Sequence, residues 1–120
     1  MAYPLGALVT YDPDRLIMSS PPKPLPELDF LIHEAARLNI IALLNECEQA
    51  EFMFLLATTG LTRGNLSTHL ARLVDAGYIE EDKRFVDRKP CSTYRMSDKG
   101  RKAYAQYLDT WRRITRTRKT

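Results

Sequence analysis

Cysteine and histidine are scarce in this chain of 120 residues, which contains two of each. Cys47 and Cys91 are too few for a disulfide framework, and free cysteines of this kind are commonly buried. Together with His33 and His69 they are scattered along the chain, and no pair has the spacing of metal ligands. The sequence therefore predicts two buried or half-buried free thiols, no metal site and no metal-sensing function.

Long hydrophobic runs and catalytic motifs are also missing. The longest apolar stretch is too short to cross a membrane. The amino terminus lacks the basic and then apolar order of a secretory signal, so we expect a cytoplasmic protein without a membrane partner. The sequence contains no glycine-rich phosphate loop, HExxH zinc motif or nucleophile elbow. We therefore expect no cofactor and no enzymatic activity.

The net charge is small, but the charges are unevenly distributed. The chain has a formal net charge of +3 at pH 7. Residues 1–61 contain three basic and eight acidic side chains, whereas residues 62–120 contain fifteen basic and seven acidic ones. Such an asymmetry fits a chain with one half facing a polyanion and the other facing protein, and it fits equally a basic half that is merely solvated.

Proline separates an amino-terminal arm from the rest of the chain. Six of the seven prolines lie within residues 1–26, where we therefore expect no regular structure. The apolar content of this arm exceeds that of a solvated linker, which favours contact of part of it with the folded body or with a partner chain. The sequence thus divides into the arm at 1–26, a folded domain at 27–114 and a basic tail at 115–120.

The first elements after the arm are predicted to be helical. Apolar residues at helical spacing predict a helix over 27–46 that is kinked near His33-Glu34 and apolar on nearly all sides. The apolar side chains of such a helix must be buried on more than one side, which favours a partner chain as part of the burying surface. Residues 50–59 predict one or two extended residues and then a short helix ended by Gly60.

A capped helix follows this segment. Thr62 has the character of an N-cap, and the helix it begins is predicted to run over 62–76. Its apolar positions fall on one buried stripe, formed by Leu66, Leu70, Leu73 and Val74. Gly77 is the predicted left-handed residue that ends this helix.

A hairpin and a last helix complete the predicted elements. Tyr78–Val86 and Cys91–Ser97 predict two strands joined by a turn at 87–90, and the first strand is too polar for a core, so the hairpin should protrude. Ser97 caps a final helix that Gly100 is expected to weaken. The apolar stripe of that helix is Ala103, Tyr104, Tyr107, Leu108, Trp111 and Ile114.

This order of elements is that of a winged helix-turn-helix domain. The residues that support it are HEAARLNIIALL at 33–44, GLTRGNLSTHLARLVDAGYI at 60–79, FVDRKPCSTYRMSDKGR at 85–101 and AYAQYLDTW at 103–111. Over about residues 28–111 the chain resembles the short winged-helix transcriptional regulators of the MarR and ArsR groups. The resemblance implies a mainly α fold with a small β-hairpin, in which a three-helix core is followed by a wing and a carboxy-terminal helix.

The resemblance also implies a function. Such regulators are homodimers that bind double-stranded DNA operators and usually repress transcription. The helix at 62–76 would enter the major groove, and the wing at 83–95 would contact the flanking minor groove or backbone. The first and last helices would form the dimer interface, with Leu28, Leu31, Ile32, Tyr104, Tyr107, Leu108 and Trp111 as candidates. The aromatic residues among these are interpreted as core or interface rather than as a ligand box, and a small-molecule effector remains undetermined.

Candidate DNA contacts lie on the polar face of the predicted helix and on the wing. Arginine suits guanine, asparagine suits adenine, and serine or threonine can reach phosphates or base edges. On a wing, arginine and lysine suit a narrow minor groove or phosphates. The candidates are Arg63, Asn65, Ser67, Thr68, His69, Arg72, Lys83, Arg84, Arg88, Lys89 and Arg95. His69 borders the apolar stripe, so a hydrogen bond within the fold or to a phosphate is the alternative to a base contact.

Two further functions fit the same residues. A winged helix can also serve as a protein-interaction module whose basic face binds an acidic partner, or, as a weaker option, it can bind RNA. The polar residues at 63, 65, 68 and 72 favour DNA, because a protein interface would expose aromatic side chains there. The basic cluster at 112–119 fits either a contact to the DNA backbone or a solvated tail.

Overall fold

The computed structural model describes residues 27–116 of the chain. This part contains four helices and a three-stranded sheet, in the order α1 (Ala35–Glu46), β1 (Ala50–Glu51), α2 (Phe52–Thr59), α3 (Arg63–Asp75), β2 (Ile79–Val86), β3 (Lys89–Met96) and α4 (Asp98–Thr115). The predicted mainly helical fold with a hairpin is confirmed. The arm at 1–26 and residues 117–120 of the predicted tail lie outside the described residues. No helix within residues 27–116 is long and apolar enough to cross a membrane.

Helices α1, α2 and α3 pack around one core with the root of the hairpin. Its fully buried large side chains are Ile32, Ile40, Ile41, Leu44, Leu55, Leu66, Leu70, Leu73 and Ile79. Complete burial of a side chain of this size contributes about 1.5–3 kcal/mol. Three of these residues belong to the predicted stripe of α3, so this helix is fixed with its opposite face towards solvent.

The first helix is shorter than the sequence predicts, because it begins at Ala35 rather than near residue 27. Glu34 is its N-cap, and its carboxylate accepts hydrogen bonds from the backbone N–H groups of Ala36 at 3.0 Å and Arg37 at 2.9 Å. Upstream, the Asp29 carboxylate accepts a hydrogen bond from the Leu31 backbone N–H at 2.9 Å, which competes with helix formation. The expected kink at His33-Glu34 is therefore the start of the helix.

The segment between α1 and the hairpin agrees with its prediction. Strand β1 has two residues and leads directly into α2, whose C-cap is Gly60 with a φ of 70°. The Thr62 hydroxyl caps α3 by accepting a hydrogen bond from the Asn65 backbone N–H at 3.1 Å. At the other end Gly77 has a φ of 79°, and the Tyr78 N–H donates to the Leu73 carbonyl at 3.0 Å. This pattern is a Schellman motif, which fixes the angle at which the hairpin leaves the helix.

The turn of the hairpin is tighter than predicted. Only Asp87 and Arg88 form it, with φ values of 51° and 65°, as in a type I′ turn. Lys89 and Pro90 belong instead to β3, the central strand of the antiparallel sheet β1-β3-β2. Pro90 lies opposite Phe85, next to the pair that closes the turn. Because this position alternates with the hydrogen-bonded pairs, β2 requires no N–H from Pro90.

The sequence predicts that Gly100 weakens α4, but the structure shows that a glycine is required here, because the backbone of Gly100 packs closely against Tyr78. A Cβ atom at this position would lie 2.0 Å from the Tyr78 carbonyl oxygen. The predicted cap of α4 is confirmed, because the Ser97 hydroxyl accepts a hydrogen bond from the Gly100 N–H at 3.0 Å. The same hydroxyl donates to the Gly77 carbonyl at 2.5 Å. The start of α4 is thereby joined to the end of α3 and to the root of the hairpin.

Candidate DNA interface

Helix α3 presents a polar face on the side opposite its buried leucines. The exposed candidates on this helix are Arg63, Asn65, Ser67, Thr68 and Arg72. The Thr68 hydroxyl donates to the Gly64 carbonyl at 2.9 Å, which leaves its oxygen free to accept. Within residues 27–116 the side chains of Arg63, Asn65 and Arg72 form no hydrogen bond or ion pair. Their donors and acceptors are therefore directed to solvent or to a ligand.

His69 is placed differently from the other candidates of α3. Its side chain is 22% exposed, and its Nδ1 lies 3.2 Å from Arg37 Nη1 and 3.7 Å from Glu34 Oε2. Of the roles considered for His69, the structure shows the hydrogen bond within the fold. His69 connects α3 to the start of α1.

Arg37 is the centre of this polar cluster. It is only 8% exposed, and its Nε donates to the Leu31 carbonyl at 2.6 Å. Its Nη1 lies 3.6 Å from Glu34 Oε2. Burial alone would raise the pKa of Glu34, but backbone hydrogen bonds from Ala36 and Arg37 and the charges of His69 and Arg37 together lower it below the ordinary value of 4.5. The cluster Glu34-Arg37-His69 therefore holds an ionised carboxylate at neutral pH.

The wing, formed by β2 and β3, has two faces, because successive residues of a strand alternate between them. The inner face contains Ile79, Glu81, Lys83, Phe85, Pro90, Ser92, Tyr94 and Met96, and the outer face contains Glu80, Asp82, Arg84, Val86, Lys89, Cys91, Thr93 and Arg95. The root of the inner face is buried at Ile79, Tyr94 and Met96. Further out, this face borders a groove whose other wall is α3, at Ser67, Ala71 and Asp75.

On the outer face of the wing, two arginines form ion pairs with acidic side chains of the same face. Arg84 Nε lies 2.7 Å from Asp82 Oδ2, and Arg95 Nη2 lies 2.8 Å from Glu80 Oε2. The hydrogen bond and the charge of Glu80 raise the pKa of Arg95 above its ordinary value. On the inner face Lys83 Nζ lies 3.6 Å from Glu81 Oε1.

The tip of the wing holds its unpaired positive charge. Arg88 and Lys89 form no ion pair within residues 27–116, and both are exposed. Arg88 is part of the turn itself, and Lys89 is the first residue after it. The five predicted cations of the wing thus fall into two groups, three that are paired along the strands and two that are unpaired at the tip.

Glu81 is held on the inner face by Tyr94. The Tyr94 hydroxyl donates to Glu81 Oε2 at 2.5 Å, and burial together with this acceptor raises the pKa of Tyr94. Asp75 of α3 lines the same groove. The acidic groups of the groove therefore lie near the root, away from the cationic tip.

The sequence did not single out the apolar residues beside the tip. Phe85 is 79% exposed and Val86 is 53% exposed. In the sequence they read as ordinary strand formers before a turn. Only the register of the two strands shows that both lie beyond the end of the core.

The predicted dimer residues fall into two groups. Ile32 is 0% exposed and Tyr107 is 4% exposed, so both are buried in the core of the single chain, and Tyr107 also borders the groove between α1 and α4. Leu28 and Leu31 are half-buried against the same core. Tyr104, Leu108 and Trp111 instead line an open apolar groove between α1 and α4.

Other residues considered from the sequence take structural positions. Cys47 and Cys91 are free and half-buried, as expected. His33 Nδ1 lies 2.8 Å from the Tyr107 hydroxyl oxygen. In the described part of the chain, no group of three or more His, Cys, Asp or Glu side chains is placed to hold a metal ion.

Comparison with known proteins agrees with this architecture. An uncharacterized protein of Methanocaldococcus jannaschii is 32% identical over 78 residues, which is 65% of this chain and 85% of that protein. A solved structure of a transcriptional regulator homologue protein from Pyrococcus horikoshii OT3 superposes with a TM-score of 0.67 at 24% identity, covering 72% of this chain and 85% of that one. The structure of NadR in complex with 4-hydroxyphenylacetate gives a TM-score of 0.60 at 22% identity, covering 71% of this chain and 60% of NadR.

At these identities the two solved structures share the fold. A family described as winged helix DNA-binding domain matches residues 36–115, which span α1 to α4. Because this match covers most of the chain, the protein belongs to the winged helix DNA-binding domain family.

Proposed function

We propose that this protein is a dimeric, sequence-specific DNA-binding transcriptional regulator that acts as a repressor. In this proposal α3 enters the major groove of an operator and the wing contacts the flanking minor groove or backbone. One observation carries the proposal: the unpaired polar face of α3 lies beside a protruding hairpin whose unpaired cations are at its tip. A bound dimer would then repress by occupying the operator.

Base recognition is assigned to the amino-terminal part of α3. Arg63 and Asn65 lie in its first turn, where side chains of a recognition helix reach base edges. A bidentate contact of arginine to guanine or of asparagine to adenine discriminates by about 1–3 kcal/mol. Ser67, Thr68 and Arg72 continue the same exposed surface and can bind phosphates or neighbouring bases. No aromatic side chain is exposed on this helix within residues 63–75, which disfavours the alternative role as a protein-interaction module.

Backbone binding is assigned mainly to the tip of the wing. Arg88 and Lys89 can contact phosphates without first giving up an ion pair. Arg84 and Arg95 would have to separate from Asp82 and Glu80, which offsets part of any gain. Lys83 is weakly paired at 3.6 Å and faces the side of α3, so it ranks between these two groups.

Dimerisation is assigned to the groove between α1 and α4. This groove is lined mostly by apolar side chains, and Trp111 remains 41% exposed beside it. A two-fold interface brings the same patch of both chains together, so one apolar face can cover another. The two α3 helices would then read half-sites about one helical turn, roughly 34 Å, apart.

Two experiments test the proposal. Selection of bound duplexes from a random pool should return one motif with two inverted half-sites, and an unenriched pool would contradict sequence-specific binding. Light scattering should give twice the mass of one chain for the wild type and for Arg112→Glu, an exposed neighbour of Trp111. Trp111→Glu should give the mass of one chain. A wild-type protein with the mass of one chain would contradict the proposed dimer.

A further inference from the structure

The tip of the wing carries an aromatic side chain that the fold does not use. Phe85 is 79% exposed, the highest value among the large hydrophobic side chains of the described residues. Large apolar groups exposed beside a polar rim commonly mark a binding surface. Neither the core nor the assigned phosphate contacts requires an aromatic ring at this position.

The strand register pairs Phe85 with a second apolar residue. Phe85 lies directly opposite Pro90, one step inside the pair Val86 and Lys89 that closes the turn. Side chains at such non-hydrogen-bonded positions have Cβ atoms about 4.5–5.5 Å apart. Phe85 and Pro90 therefore form one continuous apolar surface, which we name the Phe85-Pro90 wedge.

The wedge lies on the inner face of the wing, the face that borders α3. The groove beside α3 is lined on the wing side by Lys83 and Ser92, and the next residues outward on this face are Phe85 and Pro90. A duplex held against α3 would therefore meet the wedge before it meets the outer face. Val86, which is also exposed, lies on the opposite face and is directed away from that duplex.

The hairpin that carries the wedge is paired along all eight residues of each strand. Residues 79–86 and 89–96 pair without a bulge, and two residues with positive φ close the turn. The side chains next to the wedge indicate the charge of its partner, because Arg88 and Lys89 adjoin it and attract an anion. The partner must therefore be anionic on its surface and apolar within reach of a side chain, as the stacked bases of a duplex are.

We propose that the Phe85-Pro90 wedge inserts into the minor groove beside the operator and partly unstacks one base step. Apolar wedges of phenylalanine or proline kink DNA towards the major groove in this way. The wing would then favour flexible pyrimidine–purine steps at its site, because these unstack most readily. This inference rests on the proposed function, and it adds sequence preference at a position where no hydrogen bond reads a base.

The experiment uses an operator duplex with 2-aminopurine at successive steps of the flank. Binding of the wild type should raise the fluorescence at one step, because 2-aminopurine brightens when it is unstacked. Phe85→Ala should abolish that rise and weaken binding about tenfold, in line with the loss of one stacking contact. Val86→Ala is the matched control and should keep the rise and an affinity within about twofold of the wild type. The slope of log K against log salt should be the same in all three proteins, because no phosphate contact changes.

Three results would overturn the wedge. They are an undiminished fluorescence rise in Phe85→Ala, an equal loss in Val86→Ala, and Phe85-dependent binding to phosphatidylserine vesicles without any rise on DNA. Because Phe85 is largely exposed, Phe85→Ala should unfold at the wild-type temperature, so a loss of signal is not a loss of fold. Failure of the proposed function is a different result, namely a wild type that binds no duplex at all.

Discussion

The strands and the tip of the wing contain the same kinds of basic side chain, which, among residues 27–116, have acidic partners along the strands and none at the tip. On the outer face Arg84 and Arg95 are paired with Asp82 and Glu80 at 2.7 and 2.8 Å. At the tip Arg88 and Lys89 have no acidic partner within the described residues. A count of basic residues therefore overstates the charge available to DNA, because the acidic partner of each cation decides its role.

Arginines with and without acidic partners also differ in position between α3 and the elements packed against it. Arg37 is buried in the cluster with Glu34 and His69, whereas Arg63 and Arg72 are exposed and unpaired in the described part of the chain. Residues of the first kind should govern stability, and residues of the second kind should govern DNA binding.

The largest effect is expected at Gly100, with Gly64, another glycine near a helix start, as the control. Gly100→Ala should lower the free energy of unfolding by about 3 kcal/mol or more, because its Cβ would lie 2.0 Å from the Tyr78 carbonyl oxygen. Gly64→Ala meets nothing within 4 Å and should leave stability unchanged or slightly raised. Urea denaturation of both variants measures the difference, and equal midpoints would contradict the close contact at Gly100.

Two arginines should separate stability from binding. Arg37→Ala should cost about 1–3 kcal/mol of folding stability, because it leaves the Leu31 carbonyl without its donor and removes the guanidinium beside the Glu34 carboxylate. Arg72→Ala should leave the unfolding temperature nearly unchanged and weaken DNA binding. Calorimetry and a duplex titration test the pair, and a loss of stability in Arg72→Ala alone would reverse the assignment.

Asn65 should control the choice of base at one position. Asn65→Ala should remove about 1–3 kcal/mol of discrimination there, while the cap of α3 remains because the Thr62 hydroxyl bonds the backbone N–H of residue 65. Competition among operator variants, each with one altered base pair, measures the change. An equal loss of affinity for every sequence would show that Asn65 contacts only the backbone.

The smallest effect concerns alkaline pH. Burial and the hydrogen bond to Asp29 raise the pKa of Tyr78 to about 12. Because this pKa lies above the ordinary value of 10, its stabilisation is complete below about pH 10 and is lost as the pH rises through about 12. Tyr78→Phe should flatten the fall in stability over this interval. Denaturation at a series of pH values measures it, and parallel curves for the two proteins would contradict the assignment.

Local signals made much of the fold predictable from the sequence. Thr62, Gly77 and Ser97 act through hydrogen bonds or backbone angles within a few residues, and their roles as helix ends are confirmed. The spacing of Leu66, Leu70 and Leu73 also predicted the face of α3 that is buried. The same spacing predicted which face of α3 is polar and exposed.

Features that depend on register or on distant partners were less predictable. Glutamate is not among the preferred N-cap residues, so the start of α1 at Glu34 gave no clear signal. Asp87-Arg88 lacks the glycine that usually marks a type I′ turn, and Pro90 suggested a longer loop. The pairing of Arg95 with Glu80 and the burial of Ile32 and Tyr107 became visible only once the elements were packed.

The most direct test of this account is the salt dependence of duplex binding for the wild type, Arg88→Ala and Arg95→Ala. Plots of log K against log salt should fall steeply for the wild type, with about −0.9 per neutralised phosphate. Arg88→Ala should reduce that slope by about one unit for each chain, and Arg95→Ala should leave it nearly unchanged because Glu80 already neutralises this arginine. A shallow wild-type slope, or an equal reduction in both variants, would contradict the account.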